Sequence, residues 1–346
     1  MKSIYTAFFS LGAVALVTGC GGGGSSGTGV NIPTAAVAIN TTNAPAVAKG
    51  AATPAKGMTN ASSTATLVGV VAQTSAHRPS VLDRSLAGFA QMRAMQLSPS
   101  VGVVGVIAGY PMNSPCTAGG STSMDILDNN NNNTIDSGDV FTMSMSNCND
   151  GFTTDNGNMS FALSNITAGQ LATVGTPNNP ATASFTLTFN QFSTKNNATG
   201  ATDSINGDIV FYTSDDGTNT SGTMSGASLT TDSSVDGAFS MTNYNINFIE
   251  ANAPTATSQF SFSFNMTTAS VVAGGKITIT TTTPFTGVGN GDATTGVMVI
   301  TGANNSTLTL TARADGIHVG MTVDEDGASG PVAPVNISPD TTWAAL

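Results

Sequence analysis

Residues 260–266 read Phe-Ser-Phe-Ser-Phe-Asn-Met, with an apolar side chain at every second position and a serine or asparagine between. Successive side chains of a β-strand point to opposite faces of the sheet, so Phe260, Phe262, Phe264 and Met266 fall on one face. The stretch therefore predicts a strand that buries one face and exposes the other to water.

The same alternation recurs along the chain after residue 140. Further examples are Phe141, Met143, Met145; Met159, Phe161, Leu163; and Ile317, Val319, Met321, Val323. Between these runs we place hairpin turns at dipeptides whose residues tolerate a positive φ: Asp150-Gly151, Asn156-Gly157, Asn206-Gly207, Asp216-Gly217, Asp236-Gly237, Asn290-Gly291 and Asp315-Gly316. This spacing predicts about a dozen strands in meander order. The predicted fold is mainly β: a large curved antiparallel meander sheet or a barrel-like sandwich, with one N-terminal helix packed on it.

Two of the runs change phase. Phe189 is followed by Phe192, and Met241 by Tyr244, so an odd spacing would send the later side chains to the opposite face. One extra residue bulged out of the strand restores the phase and increases the local twist. We therefore predict a β-bulge at each of these two places.

The N-terminal third differs in composition from the rest. Residues 20–64 are rich in Gly, Ala, Thr, Asn and Pro, with Lys49 and Lys56 as their charges, and predict a flexible tether. A helix near 80–97 is predicted by apolar residues at helical spacing behind Ser80 as N-cap, namely Leu82, Leu86, Phe89 and Met92. Residues 65–346 then form one β-rich domain, and the second interpretation is a division into two β-domains near residue 200.

Charged residues are scarce. They make up 8% of the 346 residues, and the formal net charge is -11. Nine basic residues scattered along such an acidic chain do not form the positive surface that a phosphate backbone requires. The composition predicts that nucleic acid is not a partner.

The first twenty residues have the features of a secretion signal. Lys2 supplies a positive start, and residues 4–17 form an apolar segment too short to span a bilayer. The segment ends in Val17-Thr18-Gly19-Cys20, which resembles the lipobox of bacterial lipoproteins. The resemblance implies that residues 1–19 are a signal peptide and that Cys20 becomes a diacylglyceryl cysteine, with palmitate as an acyl chain. Because Gly21 rather than aspartate follows, it also implies lipid anchoring in the outer membrane, facing the periplasm or the surface.

If lipid occupies Cys20, two cysteines are left, Cys116 and Cys148. They can pair as a disulfide in an oxidising extracytoplasmic space. The alternative is two reduced, buried thiols.

One loop has oxygen-bearing side chains at the spacing of a calcium site. Residues 128–139 resemble the calcium loops of EF-hands and dockerins. The resemblance implies side-chain ligands at Asp128, Asn130, Asn132 and Asp139, a carbonyl ligand at Thr134, and a direct or water-bridged ligand at Asp136. Asn133 stands where those loops have glycine, and Asp139 where they have glutamate. The alternative is an Asn-rich hairpin loop that binds no metal. Calcium is the one cofactor that the sequence suggests.

No enzyme motif emerges from the remaining residues. The acidic turn Asp324-Glu325-Asp326-Gly327 either holds a cation or caps a strand, and His318 lacks any motif that would place it in a catalytic triad. We therefore expect a non-catalytic binding or structural module with an unknown protein partner. The alternative is a carrier that holds a lipid or another apolar ligand against the Phe- and Met-rich face of its sheet.

Overall fold

The computed structural model describes residues 31–65, 112–130, 137–165, 181–215, 218–234, 237–251, 259–288, 292–327 and 330–346. They form one helix, α1 (Ala44–Ala65), and strands β1 (Met112–Pro115), β2 (Ser121–Leu127), β3 (Val140–Asn149), β4 (Thr153–Ser164), β5 (Ala181–Asn196), β6 (Thr202–Asp215), β7 (Asn219–Ser233), β8 (Gly237–Ala251), β9 (Gln259–Ser270), β10 (Gly275–Val288), β11 (Thr295–Thr301), β12 (Thr307–Ala312), β13 (His318–Asp324) and β14 (Val335–Thr342).

The fourteen strands form one sheet in which each strand pairs with the next along the chain. Every pair is antiparallel, and β1 and β14 are the two edges. The predicted antiparallel meander is confirmed. Because β5 pairs with β6 through Lys195 and Thr202, the sheet runs without interruption past residue 200, where the second interpretation placed a domain division.

The alternating side chains separate into a buried and an outer face. Phe161, Leu187, Phe211 and Ile246 on four central strands are fully buried, while Ser160, Thr186 and Asn245 between them are at least partly exposed. Burying apolar area contributes about 25 cal/mol per Å², so this face supplies the main favourable contribution to folding. The opposite face is coated with Ser, Thr and Asn.

Both predicted bulges are present. The β5–β6 register shifts between Phe189 and Phe192, and Gln191 between them has φ 51°. The β8–β9 register shifts between Thr242 and Asn245, and Asn243 has φ 50°. Phe192 and Tyr244 consequently return to the buried face. The extra residue in each strand restores the phase that the sequence pattern had lost.

Two of the predicted hairpin turns are wrong. Asn156-Gly157 lies inside β4 and Asn206-Gly207 inside β6. Each pair sits at a register shift, and each asparagine Oδ1 accepts a hydrogen bond from the backbone N–H of a positive-φ residue on the preceding strand: Asn147 (2.7 Å) and Gln191 (3.0 Å), respectively. An Asn-Gly pair suits a bulge as well as a turn because both need positive φ.

The chain before the sheet is not a tether throughout residues 20–64. Lys276 N donates to Ala35 O, and Val37 N donates to Lys276 O, so this segment lies against the start of β10. α1 follows and buries Ala44, Val47, Ala48 and Ala51 against the sheet. The physical reason is that small alanines allow a close approach, even though Gly50 and Pro54 weaken the helix on their own.

The predicted packing of an N-terminal helix on the sheet is therefore confirmed with α1 as the helix. The helix expected near 80–97 lies outside the described residues, as does the signal segment with Cys20.

An up-and-down meander places its connections at two opposite ends. Turns that follow odd-numbered strands lie at one end; examples are Asp150–Thr153 and the acidic turn after Asp324. We call this the entry end, because residues 35–41 run along it. Connections that follow even-numbered strands, including the loop after Leu127 and the turn after Ala312, lie at the other, the far end.

Candidate functional site

The predicted disulfide joins Cys116 and Cys148, with Cα atoms 5.3 Å apart. Cys116 directly follows β1, in the turn that leads to β2. Cys148 lies near the end of β3 at a register shift. Gly119 O accepts a hydrogen bond from Asn149 N (2.8 Å), which brings the same two segments together. The bridge therefore fastens an edge of the sheet to its third strand at the entry end.

The predicted calcium loop connects β2 and β3 at the far end. Asp128 and Asp139, its first and last residues, are buried at 3% and 0% exposure. Asp139 Oδ1 accepts a hydrogen bond from Asn129 N (3.1 Å), and Asn129 Nδ2 donates to Gly138 O. In these contacts an aspartate side chain caps the loop where its two ends meet. Asn130, the next residue, is exposed. Asn132, Thr134 and Asp136 lie outside the described residues, so calcium binding here stays a prediction.

A second cluster at the far end was not anticipated. Arg313 and Asp340 form a bidentate pair. Arg313 Nε donates to Asp340 Oδ2 (2.7 Å), and Arg313 Nη2 donates to Asp340 Oδ1 (3.1 Å). His318 Nδ1 lies 2.6 Å from Asp315 Oδ2. A pattern search does not find Asp340, because it lies 27 residues from Arg313 and is brought there by the pairing of β13 with β14.

Hydrogen bonds lower the pKa of both aspartates in this cluster. Asp315 accepts from the backbone N–H of His318, from its ring and from the N–H of Ile317, and these bonds hold the pKa of Asp315 well below its usual range. The bond from Arg313 lowers the pKa of Asp340. The four side chains are between one third and one half exposed, so the arrangement is a surface ion-pair network.

Aromatic side chains gather at the far end of the buried face. Phe262 stacks against Phe285 with ring centroids 5.3 Å apart and lies 5.9 Å from Phe260. Trp343 meets Phe285 edge-on at 5.6 Å, and its Nε1 donates to Ala293 O (3.1 Å). Phe260, Phe262 and Trp343 are half-buried, so this end of the face is open to solvent. Alternation predicted that Phe260 and Phe262 share a face, whereas Phe285 and the tryptophan after β14 were not predicted.

The acidic turn lies at the entry end. Asp324 ends β13 and is 9% exposed, while Glu325 Oε1 accepts a hydrogen bond from Thr41 N (3.2 Å). The turn therefore contacts the N-terminal segment just before α1. In the described part of the chain, no three His, Cys, Asp or Glu side chains converge as a metal site.

Comparisons with known proteins found no matching family model, no matching curated protein and no matching solved structure. Among the described residues, no helix is long and apolar enough to cross a membrane.

Proposed function

We propose that this chain is a bacterial lipoprotein, anchored by Cys20 in the outer membrane, whose β-sheet domain acts outside the cytoplasm as a non-catalytic binding or structural module. The observation that carries the proposal is the sequence Val17-Thr18-Gly19-Cys20 at the end of a short apolar segment. Two or three acyl chains hold a protein stably on a bilayer, since each buried methylene contributes about 0.8 kcal/mol.

The disulfide supports this location. Disulfides persist in the periplasm and at cell surfaces and are rare where thioredoxin and glutathione keep thiols reduced. Cys116 and Cys148 are bonded, which leaves Cys20 as the odd cysteine of the three. Acylation of Cys20 accounts for that odd count.

The anchor would limit the distance between the domain and the membrane. Ala35, the first described residue that is hydrogen-bonded to the sheet, lies fifteen positions after Cys20. Fifteen residues span at most roughly 50 Å, so the entry end would lie within that distance of the bilayer. The loop after Leu127 and the Arg313 cluster, at the far end, would be available to a partner.

The buried face supports a module with a filled interior. A cavity wide enough for a lipid would leave exposed surface on the side chains that line it. Phe161, Leu187, Phe211 and Ile246 have no accessible surface, so the central strands contact protein atoms on that face. A ligand carried along the whole sheet is harder to accommodate than binding by the exposed loops.

The alternative proposal is a carrier of an apolar ligand. The half-buried aromatic group Phe260, Phe262 and Trp343 favours it, because a partly open aromatic cluster at the end of a dry face is a suitable surface for an apolar molecule.

The anchor is tested by intact-mass analysis of the protein from its native membranes, together with the distribution of a Cys20→Ser variant. We expect a mature chain that begins at Cys20 with added acyl mass, and release of Cys20→Ser into the soluble fraction. The double variant Cys116→Ser/Cys148→Ser keeps the anchor and should stay with the membrane. An unmodified Cys20 in the native protein would refute the proposal.

The carrier alternative is tested on the released Cys20→Ser protein. Solvent extraction and mass spectrometry should find no stoichiometric lipid if the interior is filled. One apolar molecule per chain, displaced when Phe262→Ser opens the aromatic group, would instead establish the carrier.

A further inference from the structure

The turn after β13 buries negative charge. Asp324 is 9% exposed, and its Oδ1 is shielded from solvent with no hydrogen-bond partner. Asp326, two residues later, has an Oδ1 in the same condition. Neither carboxylate belongs to an ion pair within the described residues. A carboxylate oxygen that is shielded from water and left without a partner is unfavourable, so two such oxygens in one turn favour a bound cation.

Other oxygen atoms border the same turn. Thr307 lies opposite Asp324 in the β12–β13 register. The Asn305 carbonyl lies so close to Gly327 that a Cβ there would come within 2.6 Å of it. Asp326 is held in place because its Oδ2 accepts a hydrogen bond from Val332 N (3.0 Å). Gly330 lies against the same carboxylate, where a Cβ would come within 2.2 Å of Oδ1, and Oδ1 has no hydrogen-bond partner.

The donor chemistry selects the class of cation. Carboxylate and carbonyl oxygens without histidine or cysteine suit a hard ion, and Ca²⁺ accepts such sets in flexible geometry with water filling the remaining positions. Two carboxylates are fewer than a tight site uses. Affinity in the range of extracellular modules, with Kd on the order of 0.1–1 mM, fits this ligand count.

We propose that the turn Asp324–Gly327 is a Ca²⁺ site in which the Oδ1 atoms of Asp324 and Asp326 are the anionic ligands and Asn305 O a neutral one. This site lies at the entry end and is separate from the loop of residues 128–139 at the far end. Because Glu325 also binds Thr41 N, Ca²⁺ in the turn would stiffen the contact between the sheet and the N-terminal segment.

The test is calorimetric titration of CaCl₂ into the full-length chain after chelator treatment, with thermal unfolding at 0 and 10 mM Ca²⁺. We expect saturable binding in wild type, a raised Tm with Ca²⁺, and at least tenfold weaker binding in both Asp324→Asn and Asp326→Asn. Asp292→Asn, which removes an exposed aspartate at the far end, is the matched control and should bind as wild type does.

The same titration in an Asp128→Asn background separates the two loops. Binding that survives Asp128→Asn and disappears when Asp324→Asn is added supports the turn. Binding abolished by Asp128→Asn alone, unchanged binding in Asp324→Asn, or absence of binding at 10 mM Ca²⁺ would overturn the proposal. If Asp324→Asn unfolds, the titration of Asp326→Asn decides between these outcomes, because the Asp326 carboxylate is less buried.

Discussion

At the scale of single residues, Tyr244 shows how a side chain compensates for an irregular strand. Tyr244 follows the β8 bulge, is 2% exposed and lies over Gly226 of β7, where a Cβ would overlap its hydroxyl. The hydroxyl donates to Asp208 O on β6, where the β6–β7 register shifts. Tyr244 thus packs over Gly226 and donates a hydrogen bond to the Asp208 carbonyl at a point where the strand register shifts.

Replacing Tyr244 with phenylalanine should destabilise the protein by about 1–3 kcal/mol, because the partly buried Asp208 carbonyl loses its donor. Urea unfolding measures the loss. Tyr212→Phe, at a residue that is 44% exposed, removes the same atom and should unfold within about 0.5 kcal/mol of wild type. Equal unfolding midpoints for the two variants would contradict this role of the hydroxyl.

The same residue predicts an alkaline effect. Burial, followed by the charge of Asp208, raises the pKa of Tyr244. The folded state then keeps the proton that the unfolded chain releases near pH 10. The stability contributed by the neutral phenol is complete below about pH 10 and is lost as the pH rises further. Chemical unfolding at pH 8–11 should show this loss in wild type and a smaller one in Tyr244→Phe.

Asp315 predicts the opposite dependence. Hydrogen bonds from His318 and Ile317 lower the pKa of Asp315, so its contribution to stability is present above the ordinary aspartate pKa of about 3.9 and is lost as the pH falls below it. Comparing acid unfolding of wild type and Asp315→Asn should show a difference at pH 6 that narrows towards pH 2. A constant difference would assign the effect to something other than the charge.

At the scale of elements, the bulges rest on a repeated device. Asn156 and Asn206 each accept a hydrogen bond from a positive-φ residue on the preceding strand. The glycine that follows each asparagine has φ above 100° and lies against the backbone of the next strand, so a Cβ has no room there. At each such place the register shifts by one or more residues while the apolar residues of β3–β6 stay on the buried face.

Removing one acceptor tests the device. Asn206→Ala should lower the free energy of unfolding by about 1 kcal/mol, since Gln191 N loses its partner. Asn206→Asp keeps an oxygen there and should retain more of the stability, and Asn265→Ala, at an exposed position of β9, is the control. If Asn206→Ala and Asn265→Ala lowered the free energy of unfolding equally, the Asn206 side chain would not be supporting the bulge.

At the scale of the whole molecule, α1 and the sheet make one body. The helix contacts β8, β9 and β12, which are distant in sequence, and Gly50 lies so close to Ala273 that a Cβ would come within 2.6 Å of it. Segment 35–41 continues this contact along the entry end. The portion of chain before the sheet is therefore part of the folded domain well before residue 65.

Filling that contact should displace the helix. Gly50→Leu is expected to cost about 1–3 kcal/mol through overpacking, and to speed amide hydrogen exchange in residues 44–52. Lys49→Leu introduces the same side chain at the neighbouring exposed position and should leave exchange unchanged. Faster exchange in both variants would mean that the leucine acts on helix propensity and not on the docked surface.

The sequence by itself determined the sheet, its two faces, the two bulges and the cysteine pair. The sheet, its faces and its bulges follow from the alternation of apolar and polar residues, which is a local pattern that does not depend on how the elements pack. The cysteine pair follows from the count of three cysteines, one of which is assigned to lipid. The tertiary structure decided between outcomes that the local sequence allows equally. Asn156-Gly157 and Asp150-Gly151 both suit a tight turn, and strand pairing makes the first a bulge and the second a turn. It also decided that an alanine-rich segment interrupted by Gly50 and Pro54 is a docked helix, and that Arg313 meets Asp340. Such outcomes depend on which surfaces come together after the chain has folded, and on the burial of charge that results at Asp324.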